Sequence, residues 1–211
     1  MARLVSVNRG KPELIPAKSK LTGIFKRPVE GRVHIDAQGL ADDAILDRRH
    51  HGGVDQAIYA YFVDDYFWWA NELGMAIEPG LFGENLTISG IEGRAVAVGD
   101  RLTMGDVVLE VTSHRTPCSV FSARMGDPKF ARHFHKSGRS GAYCRVIAPG
   151  AVEAGMDIAY TPYAGERFSV AELMALDGVR DVDPDTLRRA LTAPLHYKLR
   201  ADFEDRLARL F

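Results

Sequence analysis

Short runs of Val, Ile, Leu, Tyr and Thr, each cut off by Gly, Asp or Pro, fill the first three quarters of the chain and restrict its fold more than any other feature. "RLVSV", "GRVHI", "QAIYAYF", "ENLTI", "RLTM" and "DVVLEVT" all read as strands. In "LTMGDVVLEV" the dipeptide Gly105-Asp106 suits a tight two-residue hairpin turn. Strands at this spacing, without regular helices between them, predict an antiparallel sandwich or barrel rather than a doubly wound sheet. One helix interrupts. "DDYFWWANELG" opens at a capping residue, Asp64, and stops at Gly74, a natural left-handed position. Its aromatic cluster, Tyr66, Phe67, Trp68 and Trp69, reads as core.

The pattern changes near "YTPYAGERFSV". Ser169 and Glu172 form an S-x-x-E capping box, and Asp183-Pro184 supplies the cap and first-turn proline of a second helix. Leu195, Leu199, Phe203 and Leu207 recur every four residues through a third, charged segment. The expectation is a mainly β protein with some α: a β-barrel domain over 1–163, then a three-helix C-terminal domain over 164–211. So small a helical unit does not stand alone comfortably; it docks on the barrel or pairs with another subunit as a homodimer. With no cysteine and only His196 among its imidazoles, it is expected to serve docking more than chemistry.

Charge and cysteine usage narrow the setting. Twenty-seven basic and 28 acidic residues leave a net charge of −1, so no whole-chain field calls for nucleic acid or membrane, and any anion site must be local. The N-terminal "MARLVSVNRG" is unlike a signal peptide, and no window approaches the ~20 apolar residues of a membrane span. Two cysteines make no disulfide framework, so a cytoplasmic protein with reduced thiols is expected.

Five stretches carry residues suited to chemistry. "SHRTPCSV" (113–120) sets Cys118 behind a proline and near His114 and Arg115. "DRRHHGGVDQA" (47–57) puts Arg48, Arg49, His50 and His51 against paired glycines, either a solvated loop or one that lets backbone approach an anion. Adjacent histidines on extended chain face opposite ways, which argues against a metal held by that pair. "SGRSG" (137–141) could form a nest of N–H groups, or be an ordinary turn. "PGLFGENL" (79–86) brings Glu84 and Asn85 to a strand entrance, and "IFKRPV" (24–29) brings Lys26 and Arg27 to a loop. P-loop, G-x-G-x-x-G and G-x-S-x-G signals do not occur.

Taken in order, "TGIFKRPV", "HGGVDQAIYAY", "PGLFGENLTI", "VGDRL", "RTPC" and "SGRSGAYCRVIAPG" resemble the MOSC family, the molybdenum cofactor sulfurase C-terminal domain, and within it the YiiM-like branch with a three-helix C-terminal appendage. The resemblance implies a MOSC-type β-barrel and a molybdenum cofactor (Mo-molybdopterin), with no need of pyridoxal phosphate. It implies that Cys118 ligates molybdenum or carries a sulfur bound for it. It assigns cofactor binding to Arg49, His51, Gly52, Gly53, Glu84 and Asn85, and places Lys26, Arg115, Arg139 and Ser140 around the pterin phosphate. One departure stands out. Where the family usually reads G-L-x-G-D, this chain reads "GLADD" (39–43), so Asp42 replaces a glycine.

The implied activity is reduction of N-hydroxylated compounds, such as hydroxylaminopurines, to amines. The alternatives are a module that carries the cofactor or its sulfur without turnover, and a cofactor-free enzyme with Cys118 as nucleophile and His114 as base. Two cysteines cannot build a four-thiolate iron–sulfur cluster, and without a dinucleotide fingerprint a separate electron-donating reductase is expected. Cys144, inside "AYCRVI", reads as an inert core residue.

Overall fold

A computed structural model describes residues 1–15, 20–47 and 52–209. Strand β1 (Ala2–Gly10) shows the alternation that makes a barrel wall, with Leu4 and Val7 buried and Arg3 and Val5 exposed. After it come the short β2 (Glu13–Leu14), β3 (Leu21–Thr22), β4 (Lys26–Pro28), β5 (Val33–Asp36) and β6 (Gly39–Leu40), then β7 (Ile58–Phe62). β8 (Leu86–Ser89), β9 (Arg101–Met104), β10 (Val107–His114), β11 (Ala142–Ala148), β12 (Gly150–Val152) and β13 (Asp157–Thr161) complete the set. Seven of these close a ring in the order β13-β9-β10-β11-β7-β8-β1, sealed by Ala2↔Ile158 and Arg3↔Asp157. Closure removes the unpaired edges that an open sheet would expose. Inside sit Leu4, Ile58, Phe62, Leu86, Leu109 and Cys144, among others. The β9–β10 hairpin turns at Gly105-Asp106 as predicted, with Met104 opposite Val107 and Gly105 at φ 57°.

The barrel is not wholly antiparallel. β7 and β8 run parallel, and helix α1 (Val63–Leu73) is the crossover that such a pair requires. The N-cap of α1 is Phe62 rather than Asp64, which lies in the first turn; Gly74 ends the helix at φ 64°, as expected. The aromatic run splits by helical periodicity. Tyr66 and Trp69 are buried, Trp68 is half-buried, and Phe67 is 65% exposed.

Two further helices escaped the sequence reading, α2 (Ser119–Arg124) and α3 (Phe130–Ser137). Their buried Phe121, Phe130 and Phe134 join Tyr59, Tyr61, Tyr66, Trp69 and Phe82 in a second, aromatic core against the outer face of β7. Trp69 stacks on Phe134 with an interplanar angle of 9°. Each such ring removes enough surface from water to contribute roughly 1.5–3 kcal/mol.

The C-terminal helices are α4 (Val170–Ala175), α5 (Pro184–Leu191) and α6 (Tyr197–Ala208). Both caps are as predicted: Ser169 and Glu172 bond reciprocally, and Asp183 accepts from the Thr186 amide. The Leu195/Phe203 stripe packs on Phe168, Leu187 and Val98 of the same chain. α4 belongs to all three cores, through Val170 in the barrel, Met174 among the aromatics and Leu173 in the helical cluster. Fully buried Asp100 fastens the connection by accepting from Arg167, Tyr160 and the amides of Ala97 and Tyr163. Among the described residues no helix is long and apolar enough to cross a membrane.

Candidate functional site

The segments before β4, after β6, before β8 and after β10 converge on a cavity of about 120 Å³. Its lining includes Lys26, Asp43, Gly52, Asn85, Arg115 and Cys118, with Ile24, Ile45, Val120, Tyr59 and Tyr143 as apolar and aromatic walls. Cys118 reaches it because the β10 ladder ends at His114↔Ala142 and α2 starts at Ser119, leaving 115–118 in irregular backbone. Pro117 has no N–H to extend the ladder, which suits this break. The Cys118 thiol is half-buried, whereas Cys144 is fully buried opposite Val111, and neither is in a disulfide. Burial, with a smaller push from Glu110, drives the Cys144 thiol up to about 12, so it stays protonated.

Arg115 is the unusual group. It is 4% exposed, with its guanidinium 4.0 Å from the centre of the Phe121 ring and 5.4 Å from that of Tyr59. Among the described residues it forms no ion pair with a carboxylate, and its Nη1 is buried without a hydrogen-bond partner. Burial works against its charge, yet Tyr59, Tyr143 and Cys118 tip the balance and its pKa rises. Burial also pushes the Tyr59 and Tyr143 hydroxyls up, so at neutral pH they bring no charge of their own. A buried cation left uncompensated costs several kcal/mol. The cavity therefore calls for an anion, and a thiolate at Cys118 or an anionic ligand would supply one.

Lys26 is already matched. Its buried amine pairs with buried Asp43, which also accepts from the Gly10 amide at 2.8 Å and from Asn85 Nδ2 at 2.9 Å. Burial lowers the Lys26 pKa, with Asp43 opposing. Asn85 in turn accepts from the Tyr59 amide at 3.1 Å, tying the cavity wall to β7. Glu84 stands one residue behind the lining. Its Oε1 accepts from Tyr66, Thr87 and the Gly80 amide at 2.6 Å, while its Oε2 is buried without a partner. Burial raises this carboxyl to about 7, against the hydrogen bonds that favour its ionised form.

The remaining predicted residues divide clearly. Gly52 lines the cavity at φ 78°, where an added Cβ would meet Ile45 at 3.1 Å; Gly53 does not line it. Arg49 and His51 lie outside the described residues. Arg139 and Ser140 are not in the cavity wall either. Arg139 pairs with buried Asp65 and lies 4.9 Å from the centre of the Trp68 ring, and the Ser140 carbonyl accepts from the Tyr59 hydroxyl at 2.8 Å. Ser140 thus supports the wall from behind, while Arg139 ties α1 to the segment before β11. His114 is unavailable as a base for Cys118, because its Nε2 faces Asp177 Oδ2 at 2.9 Å and its Nδ1 is buried without a partner.

Asp42 adopts φ 60°, the only non-glycine residue at positive φ among those described, so the turn keeps the left-handed conformation that glycine would favour. Its carboxylate points to solvent and pairs with Arg9 at 3.2 Å; Asp43, its neighbour, is the one in the cavity wall. The sequence reading missed Asp43, Tyr59, Tyr143 and Asp177. Asp43 alone had a local signal, in the "GLADD" stretch.

Among the described residues no group of three or more His, Cys, Asp or Glu is arranged to hold a metal ion. One soft thiol, one uncompensated buried guanidinium and aromatic walls instead suit an anionic organic group that brings most of its own ligands to a metal. Residues 47–159 match the family described as MOSC domain. Protein YiiM of Escherichia coli (strain K12) is 29% identical over 192 residues, covering 90% of this chain and 85% of that protein. A protein of Gibberella moniliformis named "Reductase" is 28% identical over 180 residues, 82% of this chain but 32% of that protein. The crystal structure of YiiM from Geobacillus stearothermophilus is similar at a TM-score of 0.81 and 28% identity, covering 98% of this chain and 100% of that one.

Proposed function

Because the chain belongs to the MOSC domain family, we propose that it binds a molybdenum cofactor at the Cys118 cavity and reduces N-hydroxylated compounds to amines. The observation that carries this reading is the shared cavity of Cys118 and Arg115, a soft ligand beside a buried cation that pairs with no carboxylate among the described residues and whose Nη1 lacks a hydrogen-bond partner. The enclosed space is below the ~300 Å³ of typical ligand pockets, so it admits only part of so large a group; the donor chemistry is what supports the fit. The reductase class is supported by the name of the Gibberella relative, of which this chain spans about a third. The N-hydroxylated substrate rests on the family resemblance.

In this reading Cys118 presents its sulfur to molybdenum, and Arg115 meets the anionic part of the cofactor. When bound, the cofactor supplies two-electron oxygen-atom chemistry. Tyr59 and Phe121 hold the guanidinium in place, while Ile24, Ile45 and Val120 form the apolar wall of the same cavity. The Asp43–Lys26 pair and Asn85 fix the opposite wall without adding net charge. Electrons come from a separate reductase, in the cytoplasm, where thiols stay reduced.

The test is metal and pterin analysis of protein made in a cofactor-competent host, followed by a reductase assay with an N-hydroxylated purine and a flavin reductase. Bound molybdenum and turnover are expected. Protein free of both metal and pterin overturns the reading; metal without turnover selects the alternative, a cofactor or sulfur carrier.

A further inference from the structure

Residues 115–118 carry both groups of the site yet belong to neither a strand nor a helix. Something other than the β10 ladder must hold them. On its outer side the segment meets one carboxylate from far along the chain. Asp177 Oδ2 lies 2.9 Å from His114 Nε2, 3.2 Å from Thr116 Oγ1 and 3.8 Å from His135 Nε2 of α3. His114 and Thr116 are the two neighbours of Arg115, and Thr116 Oγ1 also lies 3.2 Å from His114 Nε2. A single oxygen thus gathers the end of β10, the irregular segment and α3.

Asp177 makes its carboxylate hydrogen bonds away from its own helix. It follows the C-terminal end of α4, bonding its amide to the Met174 carbonyl, and a negative charge there opposes the helix dipole. The hydrogen bonds of its carboxylate run across the interface, to residues 61 and 63 positions earlier in sequence. With Nδ1 buried and partnerless, the His114 tautomer that fits carries its proton on Nε2 and donates it to Asp177.

We propose that Asp177, supplied by the C-terminal helices, is a positioning residue that fixes Arg115 and Cys118 by holding the residues on either side of Arg115. This deepens the reading of Cys118 as the ligand sulfur, and rests on it only for what that sulfur is used for. The C-terminal segment then does more than dock: it sets how far the thiol projects into the cavity.

The measurement is the rate at which iodoacetamide alkylates each cysteine, followed by mass spectrometry on the full chain produced without cofactor. Cys144 serves as an internal reference for loosening of the whole fold. In Asp177→Ala, Cys118 should react about three- to tenfold faster, the scale of one or two lost hydrogen bonds, with Cys144 still protected. Asp177→Asn keeps an acceptor oxygen and should restore most of the original rate. Thr116→Val removes one partner of the same carboxylate and should give a smaller change in the same direction, which keeps the idea testable if Asp177→Ala folds poorly. An unchanged Cys118 rate in folded Asp177→Ala and Thr116→Val overturns the proposal, and so does simultaneous labelling of both cysteines. Molybdenum content, measured separately, decides the cofactor reading whichever way the labelling falls.

Discussion

Cys144 lies inside the barrel and Cys118 just past the end of the neighbouring strand, and the two live under different rules. Cys144 has Val111 across one ladder and Ile58 across the other, so two strands dictate its position and burial suppresses its chemistry. Cys118 stands four residues past the last β10 pair, where side chains and not the ladder decide where it points. The ladder secures stability and the gap beside it carries the proposed site, which is the usual division between scaffold and loop. Arg115 belongs to the second regime, a buried cation that a ladder-built core would not tolerate.

The largest test of this contrast is Cys118→Ser. It should remove metal and reductase activity by about a hundredfold or more, because an alkoxide is a poor ligand for a soft metal, and leave the melting temperature nearly unchanged. Full activity in that variant would place the reactive sulfur elsewhere. Arg115→Met should weaken pterin binding by about ten- to a hundredfold while leaving stability equal or higher, since the lost charge has no carboxylate partner among the described residues. A denaturant midpoint that instead drops sharply would show that Arg115 is a structural ion.

Glu84 sharpens the contrast through pH. Its folded carboxyl sits at about 7 against an ordinary 4.5, so the native state holds the proton more tightly than the unfolded chain does. Stability from this group is full below pH ~4.5 and is lost as pH rises through ~7, a change on the order of 3 kcal/mol. Glu84→Gln should flatten that slope in melts run between pH 5 and 8; parallel curves for the two proteins would rule the effect out. Cys144→Ser should cost about 1 kcal/mol for burying a hydroxyl, with activity per folded molecule kept. Smallest of all, Asp42→Gly should gain a few tenths to about 1 kcal/mol by relieving a left-handed residue, less the small worth of its exposed bond to Arg9. A loss of stability would mean that the Arg9 contact outweighs the strain.

Local chemistry was legible and distant chemistry was not. The strands, the Gly105-Asp106 turn, the Gly74 stop and the caps at Ser169 and Asp183 depend on residues within a few positions of one another. The helices α2 and α3 escaped because they are short and polar, and their few aromatics find partners only in the folded aromatic core. Lys26, Gly52, Asn85, Arg115 and Cys118 could be named from ordered motifs and do share the cavity. Arg139 looked like a free cation only because Asp65, its partner, is 74 residues away. Asp177 gave no sign at all, since nothing in "MALDGV" hints at a histidine at the end of a strand 63 residues earlier.

The seam between β1 and β13 has a consequence for synthesis. Ala2 meets Ile158, so β1 leaves the ribosome long before the strand that closes the barrel against it. At ordinary translation rates of roughly 5–20 residues per second, that border waits on the order of ten to thirty seconds. Until then the barrel stands open, its partly bordered β1 carrying Leu4 and Val7 toward a core not yet filled. A nascent chain stalled before β13 would be an aggregation hazard.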